Sequence, residues 1–555
     1  MTTSRTEQSP TRTEQSRSTV TTTREPSAAA PGTQAPAEQQ GRMTHRQILE
    51  ALSGMLLAMF VAFLSSTVVS NALPTIITDL RGSQSQYTWV VTATLLASTA
   101  STPIWGKLSD LFSKKLLIQL SIVIFIVGSM LAGLSQSVGT LIGWRVLQGL
   151  GLGGLQALVQ IAMAAMISPR ERGRYSGLLG GVMAVATVGG PLLGGLLVDT
   201  SWLGWRWCFY VGVPFAVVAL VLLQRTLHLP VTRRRVRIDY LGAAFLTAGV
   251  SGLLIWVTLA GDQFAWASVE TALFLAGSVV AIVAFVVTEL RAAEPIVPLR
   301  LFRDRTTTLA IVASVAIGVA MFGSTVFLGQ YLQISRGYSP TAAGLLTIPM
   351  VGGLLVSSTV SGILITRHGR WKRFLVAGSL LVTAGFALLA TIDHETNMVL
   401  LGVFLFVLGV GIGMTMQNLV LAVQNTVAAT DLGAASSAVA FFRSLGGTIG
   451  VSVLGAVLSN RVGDLIAAGL PPELAAAGTG SGSVGLADLK DAPPAIQELI
   501  RVSYGDATGR IFLVSAIIAV VAVAAIVLIH EVALRTESGE ERLQRESRPT
   551  VADAA

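Results

Sequence analysis

Apolar runs of about 20 residues, one after another, limit this chain more than any other feature of its sequence. Each run is long enough to cross the ~30 Å hydrocarbon core of a bilayer as a helix. In lipid a spanning segment must satisfy its own backbone amides, which leaves helices or closed barrels. The fourteen runs lie at about 50–72, 87–106, 116–134, 140–165, 174–198, 206–227, 240–260, 269–290, 308–331, 341–365, 374–391, 397–420, 434–458 and 510–531. The predicted class is therefore an all-α polytopic membrane protein with 14 transmembrane helices. Charge agrees: 12% of the 555 residues are charged, against roughly 25% in soluble proteins. Such a surface cannot face water throughout, which excludes a soluble enzyme.

The single cysteine, Cys208, excludes a disulfide framework or a cysteine metal site, and the five His residues have no ligand spacing. No Walker-type phosphate loop is present. The sequence therefore predicts no enzyme, no metal and no cofactor. The net charge of +8 reflects basic loops on one side of the membrane rather than nucleic-acid binding. With the N-terminus inside, the inner connections hold 19 Lys/Arg, among them Lys107, Lys114, Lys115, Arg170, Arg172, Arg174, Arg370 and Lys372. The short outer connections hold three: Arg81, Arg206 and Arg336. This places both termini in the cytoplasm and the chain in the cytoplasmic membrane. Residues 1–46 read as a disordered cytoplasmic tail with no signal-peptide core, 459–509 as a long external loop, mostly loose with a short helix near 493–503, and 532–555 as a second polar tail.

The chain also repeats itself. Gly106-x-Leu108 with Lys114 eight residues on is echoed by Gly362-x-Leu364 with Arg370, an offset of 256. Gly149-Leu-Gly151-Leu-Gly153 returns as Gly409-Val-Gly411-Ile-Gly413 at 260, and Gly189-Gly190 as Gly446-Gly447 at 257. These offsets predict two six-helix halves, 47–230 and 306–531, with two helices inserted between them at 238–290.

Several residues stand out against this apolar background. Asp110, in the turn that also carries Lys114 and Lys115, either pairs with a nearby cation or sits at a helix N-terminus as a latch. Arg145 lies inside the fourth run and Arg443 inside the thirteenth, and a cation at depth marks function. Gln148 and Gln156 continue a polar stripe along the helix of Arg145. Gly189-Gly190-Pro191-Leu-Leu-Gly194-Gly195 bends or tightly packs its helix, and Gly106 and Gly149 admit close neighbours. No Asp or Glu occupies the middle of any run; Asp199, Asp239 and Glu289 lie at or beyond run ends.

Together these motifs resemble the major facilitator superfamily, and within it the fourteen-span drug:proton antiporters of bacteria. The resemblance rests on Gly106–Lys115, Arg145-Val-Leu-Gln148-Gly149, Gly189–Gly195 and Trp205–Pro214, and on Leu421–Asn425, Asp431 and Phe442–Gly447. It implies the major facilitator fold, conformational switching through Asp110, proton coupling through Arg145, and helix packing and transport direction through Pro191. One departure matters. The family commonly carries an Asp in its first helix, where this chain reads Leu64-Ser65-Ser66-Thr67. Arg145 then lacks its expected anionic partner: either the proton is carried elsewhere, with Asp110 and Asp199 the remaining candidates, or coupling is altered, or Ser65 hydrogen-bonds a substrate directly.

The function this implies is export of drug-like amphiphilic small molecules across the bilayer by proton antiport and alternating access. Ser65, Asn71, Gln148, Gln156, Gln417 and Asn418 are candidate cavity residues, and interior arginines without acids favour neutral or anionic substrates. Export of a lipid or an endogenous metabolite is the alternative on the same fold. A non-transporting sensor would need a soluble module that neither tail can supply.

Overall fold

A computed structural model describes residues 45–82, 84–200, 202–227, 239–260, 263–469 and 493–546. Most of the predicted N-terminal tail, part of the 459–509 connection and the last nine residues lie outside the described residues. The rest is helical: α1 (His45–Asp79), α2 (Gln84–Leu111), α3 (Lys114–Gly133), α4 (Val138–Met166), α5 (Pro169–Asp199), α6 (Trp207–Tyr210), α7 (Gly212–Thr226), α8 (Tyr240–Leu259) and α9 (Val269–Arg291). There follow α10 (Arg305–Gln330), α11 (Pro340–Leu346), α12 (Ile348–His368), α13 (Lys372–Leu389), α14 (Met398–Thr426), α15 (Leu432–Gly469), α16 (Pro494–Leu528) and α17 (Gly539–Glu546).

Thirteen helical segments among the described residues are long and apolar enough to cross a membrane, against the fourteen expected. The one missing is α2. It is 28 residues long, but Thr92, Thr94, Ser98, Thr99, Ser101 and Thr102 lower its hydropathy. These side chains are buried rather than lipid-facing. Three return their hydroxyls to the helix: Thr94 donates to the Val90 carbonyl, and Ser101 and Thr102 to that of Ser98. A hydroxyl bonded to its own helix is cheap to keep out of water.

Apolar packing gathers into clusters drawn from separate stretches of chain. Two are built from α1–α7, within residues 48–227. A third is built from residues 301–534. The repeated glycines explain the close approach inside each. A Cβ on Gly149 or Gly153 would meet the α2 carbonyls of Thr94 and Ser98, and one on Gly151 would meet α3 at Ser121 and Phe125. Their counterparts behave alike: Gly409 and Gly413 meet α12 at Met350 and Leu354, and Gly411 meets α13 at Gly378 and Val382. Missing side chains let backbones touch where lipid supplies no hydrophobic drive to press helices together.

Two seams join these groups, and they are counterparts. In one, α2 meets α15, and a Cβ on Gly106 would lie 2.9 Å from the Gly433 carbonyl. In the other, α12 meets α5, and a Cβ on Gly362 would lie 2.0 Å from the Gly173 carbonyl. Helices α8 and α9 pack on the first seam. Leu246, Val250, Leu254 and Phe285 join Phe441 of α15, with Leu96 of α2 alongside.

The described residues of 459–509 are more helical than the mostly loose loop with a short helix near 493–503 expected from sequence. Helix α15 runs 38 residues, to Gly469, and α16 runs 35, from Pro494. At 1.5 Å per residue each is roughly 50–57 Å long, well beyond the hydrocarbon thickness. Leu458 and Val462 pack on Ala507 and Ile511, so an antiparallel helix pair continues where the composition suggested loose chain.

The Gly173–Gly362 contact gives a first test. Gly362→Ala forces two backbones apart and costs about 1–3 kcal/mol. Gly352→Ala, on the same helix but facing open space, serves as its control. Melting in detergent should fall for Gly362→Ala and not for the control; equal melting would contradict the packed seam.

Candidate gate and coupling site

At the end of the molecule that carries the basic connections, α2 and α15 share a polar contact. Asp110, one residue before the end of α2, accepts the backbone N–H groups of Gly433 at 2.9 Å and Ala434 at 3.0 Å. These are among the first amides of α15, which have no partner within their own helix. The helix dipole also places partial positive charge there. Of the two arrangements the sequence left open, the structure has the helix N-terminus. Lys115 instead donates to the Gln224 carbonyl at the end of α7, and Lys114 is half-buried at the start of α3.

The turn between α14 and α15 is held from three further directions. Arg300 donates to Asp431 at 2.8 Å. Arg542, fully buried, donates to the carbonyls of Gln424 and Val427, placing a cation on the C-terminal end of α14 where the dipole favours one. Asn425 donates to the Ala533 carbonyl at 3.1 Å and accepts the Arg535 amide at 2.9 Å. The Arg170 amide, at the start of α5, donates to the Arg535 carbonyl. Residues 532–546, read from sequence as a plain polar tail, therefore cross from α14 to α5. The signal was present in Asn425 and in an Arg ahead of a short polar helix, but a docked strap cannot be told from a solvated tail by composition.

Glu540, on this strap, has its carboxyl pushed up to about 7 by burial, with Lys114 pulling the other way. The docked state thus binds a proton more tightly than the free tail does.

Deeper in the protein, Arg145 is buried and its partners are neutral. Its Nε donates to the Val90 carbonyl at 3.3 Å, and one terminal nitrogen donates to Gln148 at 2.6 Å. Gln148 in turn donates to Ser65 at 3.2 Å and Ser129 at 2.7 Å. One chain of hydrogen bonds thus ties α4 to α1, α2 and α3, and Ser65 lies in it two bonds from the guanidinium. Gln160 donates to Gln417 at 3.1 Å, joining α4 to α14. Beside that pair, Arg172, Asn418 and Gln424 line a small pocket with room for roughly one water. Asn418 is buried and bonded to the Met414 carbonyl.

Other predicted residues stay outside this chain of bonds. Gln156 and Arg443 are half-buried. The Arg443 carbonyl lies where a Cβ on Gly318 would fall, so α10 and α15 are tightly packed there. Gly190 faces Thr67 of α1, Gly189 lies near Leu64, and Gly194 is buried. The side chains of Asn71, Pro191 and Asp199 lie outside the described residues. Among the described residues no cluster of His, Cys, Asp and Glu suited to a metal occurs.

A bundle of spanning helices, closed at one end by polar contacts and holding a buried arginine in a neutral network, has the construction of a membrane transporter. The family model of the Major Facilitator Superfamily matches residues 55–451, and the chain belongs to that superfamily. It is 38% identical over 486 residues to an uncharacterised MFS-type transporter of Mycobacterium tuberculosis, covering 87% of this chain and 69% of that one. It is 33% identical over 436 residues to the multidrug transporter protein MdtP of Bacillus subtilis, covering 79% and 80%. It is 34% identical over 414 residues to the efflux pump dotC of Dothistroma septosporum, covering 74% and 70%. Among solved structures, the proton:xylose symporter XylE matches with a TM-score of 0.59 at 14% identity, covering 90% of this chain and 99% of that one. The human organic anion transporter MFSD10 matches with a TM-score of 0.56 at 13% identity, covering 85% and 99%; both likenesses concern the fold. The protein is a multi-pass secondary transporter of small molecules and not an enzyme.

Two measurements test the polar closure. Loss of a helix cap costs about 1–2 kcal/mol, so Asp110→Ala should open the seam roughly tenfold more often. With Cys208 replaced by alanine, a cysteine at the buried Ser437 reports this opening. Its labelling by a membrane-impermeant maleimide should rise in Asp110→Ala, and an unchanged rate would contradict the cap. The strap responds to pH. Its favourable protonation term is complete below 4.5 and lost as pH rises to about 7. A spin label at Gln544 should therefore gain mobility between pH 5 and pH 8 in the wild type and much less in Glu540→Gln. Equal gains would remove Glu540 as the cause.

Proposed function

We propose that the protein exports drug-like amphiphilic compounds across the cytoplasmic membrane in exchange for protons, by alternating access. The observation that carries this reading is the network around Arg145. A buried guanidinium bonded to a carbonyl and an amide is poorly neutralised, and its field reaches Ser65 through Gln148. A proton or an anionic substrate group arriving there changes the local charge in a low-dielectric site, where it counts most. The relatives named multidrug transporter and efflux pump support the direction of transport.

Within this reading α2 is the fourteenth span, and both termini are cytoplasmic because the Lys/Arg-rich connections lie on that side. The chain is divided into six-helix halves at 47–230 and 306–531, with α8 and α9 inserted between them. The Asp110 cap, the Arg542 strap and the glycine seams then form the inner gate. Gln156, Gln417 and Asn418 line the substrate path with Ser65 and Gln148, and Gly106, Gly149, Gly189, Gly190 and Gly194 set the helix spacing along it. Arg145 and Arg443 without interior acids favour neutral or anionic substrates over dications. Export of an endogenous metabolite is a second reading, favoured by a relative named as the MFS-type transporter of the acurin A biosynthesis cluster of Aspergillus aculeatus, 32% identical over 416 residues.

Purified protein in liposomes with an imposed pH gradient tests the reading. Transport of a neutral lipophilic dye such as Nile red should follow the gradient and fall at least about tenfold in Arg145→Ala. Transport that ignores the gradient in the wild type would refute proton antiport. Ser65→Asp places a carboxylate within the Arg145–Gln148 network, and it should strengthen gradient dependence or improve transport of a cation such as ethidium. No change in either would place coupling elsewhere.

A further inference from the structure

Helices α8 and α9 hold the pair of acids that the transport core lacks. Glu289, in the last turn of α9, is 4% exposed. One of its carboxyl oxygens accepts the amides of Ile296 at 2.9 Å and Val297 at 3.4 Å. Its other oxygen is buried and has no partner among the described residues. Asp239 caps the start of α8, where one oxygen accepts the Gly242 amide at 2.8 Å. Its second oxygen is likewise buried and unpartnered. The two acids face the same glycine. A Cβ on Gly242 would lie 2.3 Å from the Asp239 oxygen and 3.2 Å from a Glu289 oxygen, so the carboxyls are at most 5.5 Å apart.

Two carboxyls within 5.5 Å of each other, each with a buried, idle oxygen, cannot both be ionised cheaply, whereas a proton on one of them relieves the repulsion. Among the described residues the charged groups around them are few. Lys107 of α2 faces the pair but is engaged with Glu294 at 2.7 Å, and Arg291, next in α9, is exposed. We propose that Asp239 and Glu289 form a proton-binding site on the inserted helices that feeds the inner gate through Lys107. The coupling half of this proposal rests on the antiport reading above.

The link follows from connectivity. Glu289 holds the amides of Ile296 and Val297, and the same turn carries Glu294. Glu294 holds Lys107, three residues before Asp110, whose carboxylate caps α15. When the shared proton leaves Glu289 for water, two carboxylates face Lys107 instead of one. Lys107 is drawn from Glu294 toward the pair, and the end of α2 that carries the cap moves with it. Rebinding a proton restores the Lys107–Glu294 pair and the closed seam. The site lies at the basic end of the molecule, where a proton carried inward would be released.

Glu289→Gln separates this role from a structural one, because its amide oxygen still accepts from Ile296 and Val297. Infrared difference spectra between pH 5 and pH 9 should contain the carbonyl band of a protonated carboxyl that Glu289→Gln or Asp239→Asn removes. Spectra in which neither substitution alters that band would overturn the proton site, whatever the transport assays give. In liposomes, Glu289→Gln should lower gradient-driven Nile red transport about tenfold while gradient-free dye exchange stays within about twofold. Wild-type transport that follows the gradient together with a Glu289→Gln variant that follows it equally would overturn the coupling role. Wild-type transport that ignores the gradient would overturn antiport and the coupling role with it, leaving the infrared band to decide the proton site.

Discussion

A carboxylate from one part of the chain caps a helix from another, and much of the arrangement at the basic end turns on that contact. Asp110 supplies to α15 the acceptors its first amides cannot find within the helix. The counterpart seam carries no acid at the matching position. The residue 256 positions on from Asp110 is Thr366, and near it α5 and α12 touch backbone to backbone at Gly173 and Gly362, with Gly177 against Thr359 alongside. One seam carries a charge-assisted cap and the other a close backbone contact. A charge-assisted contact can be switched by a proton or by a competing cation; close packing cannot. The inserted helices and Lys107 lie beside the seam that carries the cap.

The ends of α14 and α15 extend the same logic. Arg542 meets the carbonyl end of α14, Asp110 meets the amide end of α15, and Asp431 between them is held by Arg300. Each charge has the sign that its helix end favours. The strap that delivers Arg542 also reaches α5 through Arg535, so the proposed inner gate is tied across both seams.

The helices were legible because lipid imposes length and hydropathy on every span, and the repeats were legible because close backbone approach demands glycine at fixed offsets. Helix α2, read as the run 87–106, is less apolar than the other spans because of its Ser and Thr residues, whose side chains are buried in protein. In the 459–509 stretch Gly, Ser and Ala read as mostly loose chain with a short helix near 493–503; α16 does begin at Pro494, but α15 also extends to Gly469 and the two pack on each other. Arg145 and Asp110 announced themselves as charges where charges are costly. Their partners did not, since which amide or carbonyl receives a side chain is settled by tertiary packing. Asp239 and Glu289 look ordinary at run ends; only folding shows that they share one buried spot.

The central claim is that the polar contacts at the basic end make and break as a unit during transport. Spin labels at Phe112, beyond α2, and His368, at the end of α12, are both on exposed sites and allow the distance across this end to be measured by pulsed electron resonance in lipid. The account predicts two distance populations, separated by at least about 5 Å, with Asp110→Ala and alkaline pH enriching the longer one. A single distribution, unchanged by pH, by added Nile red or by loss of the cap, would contradict it.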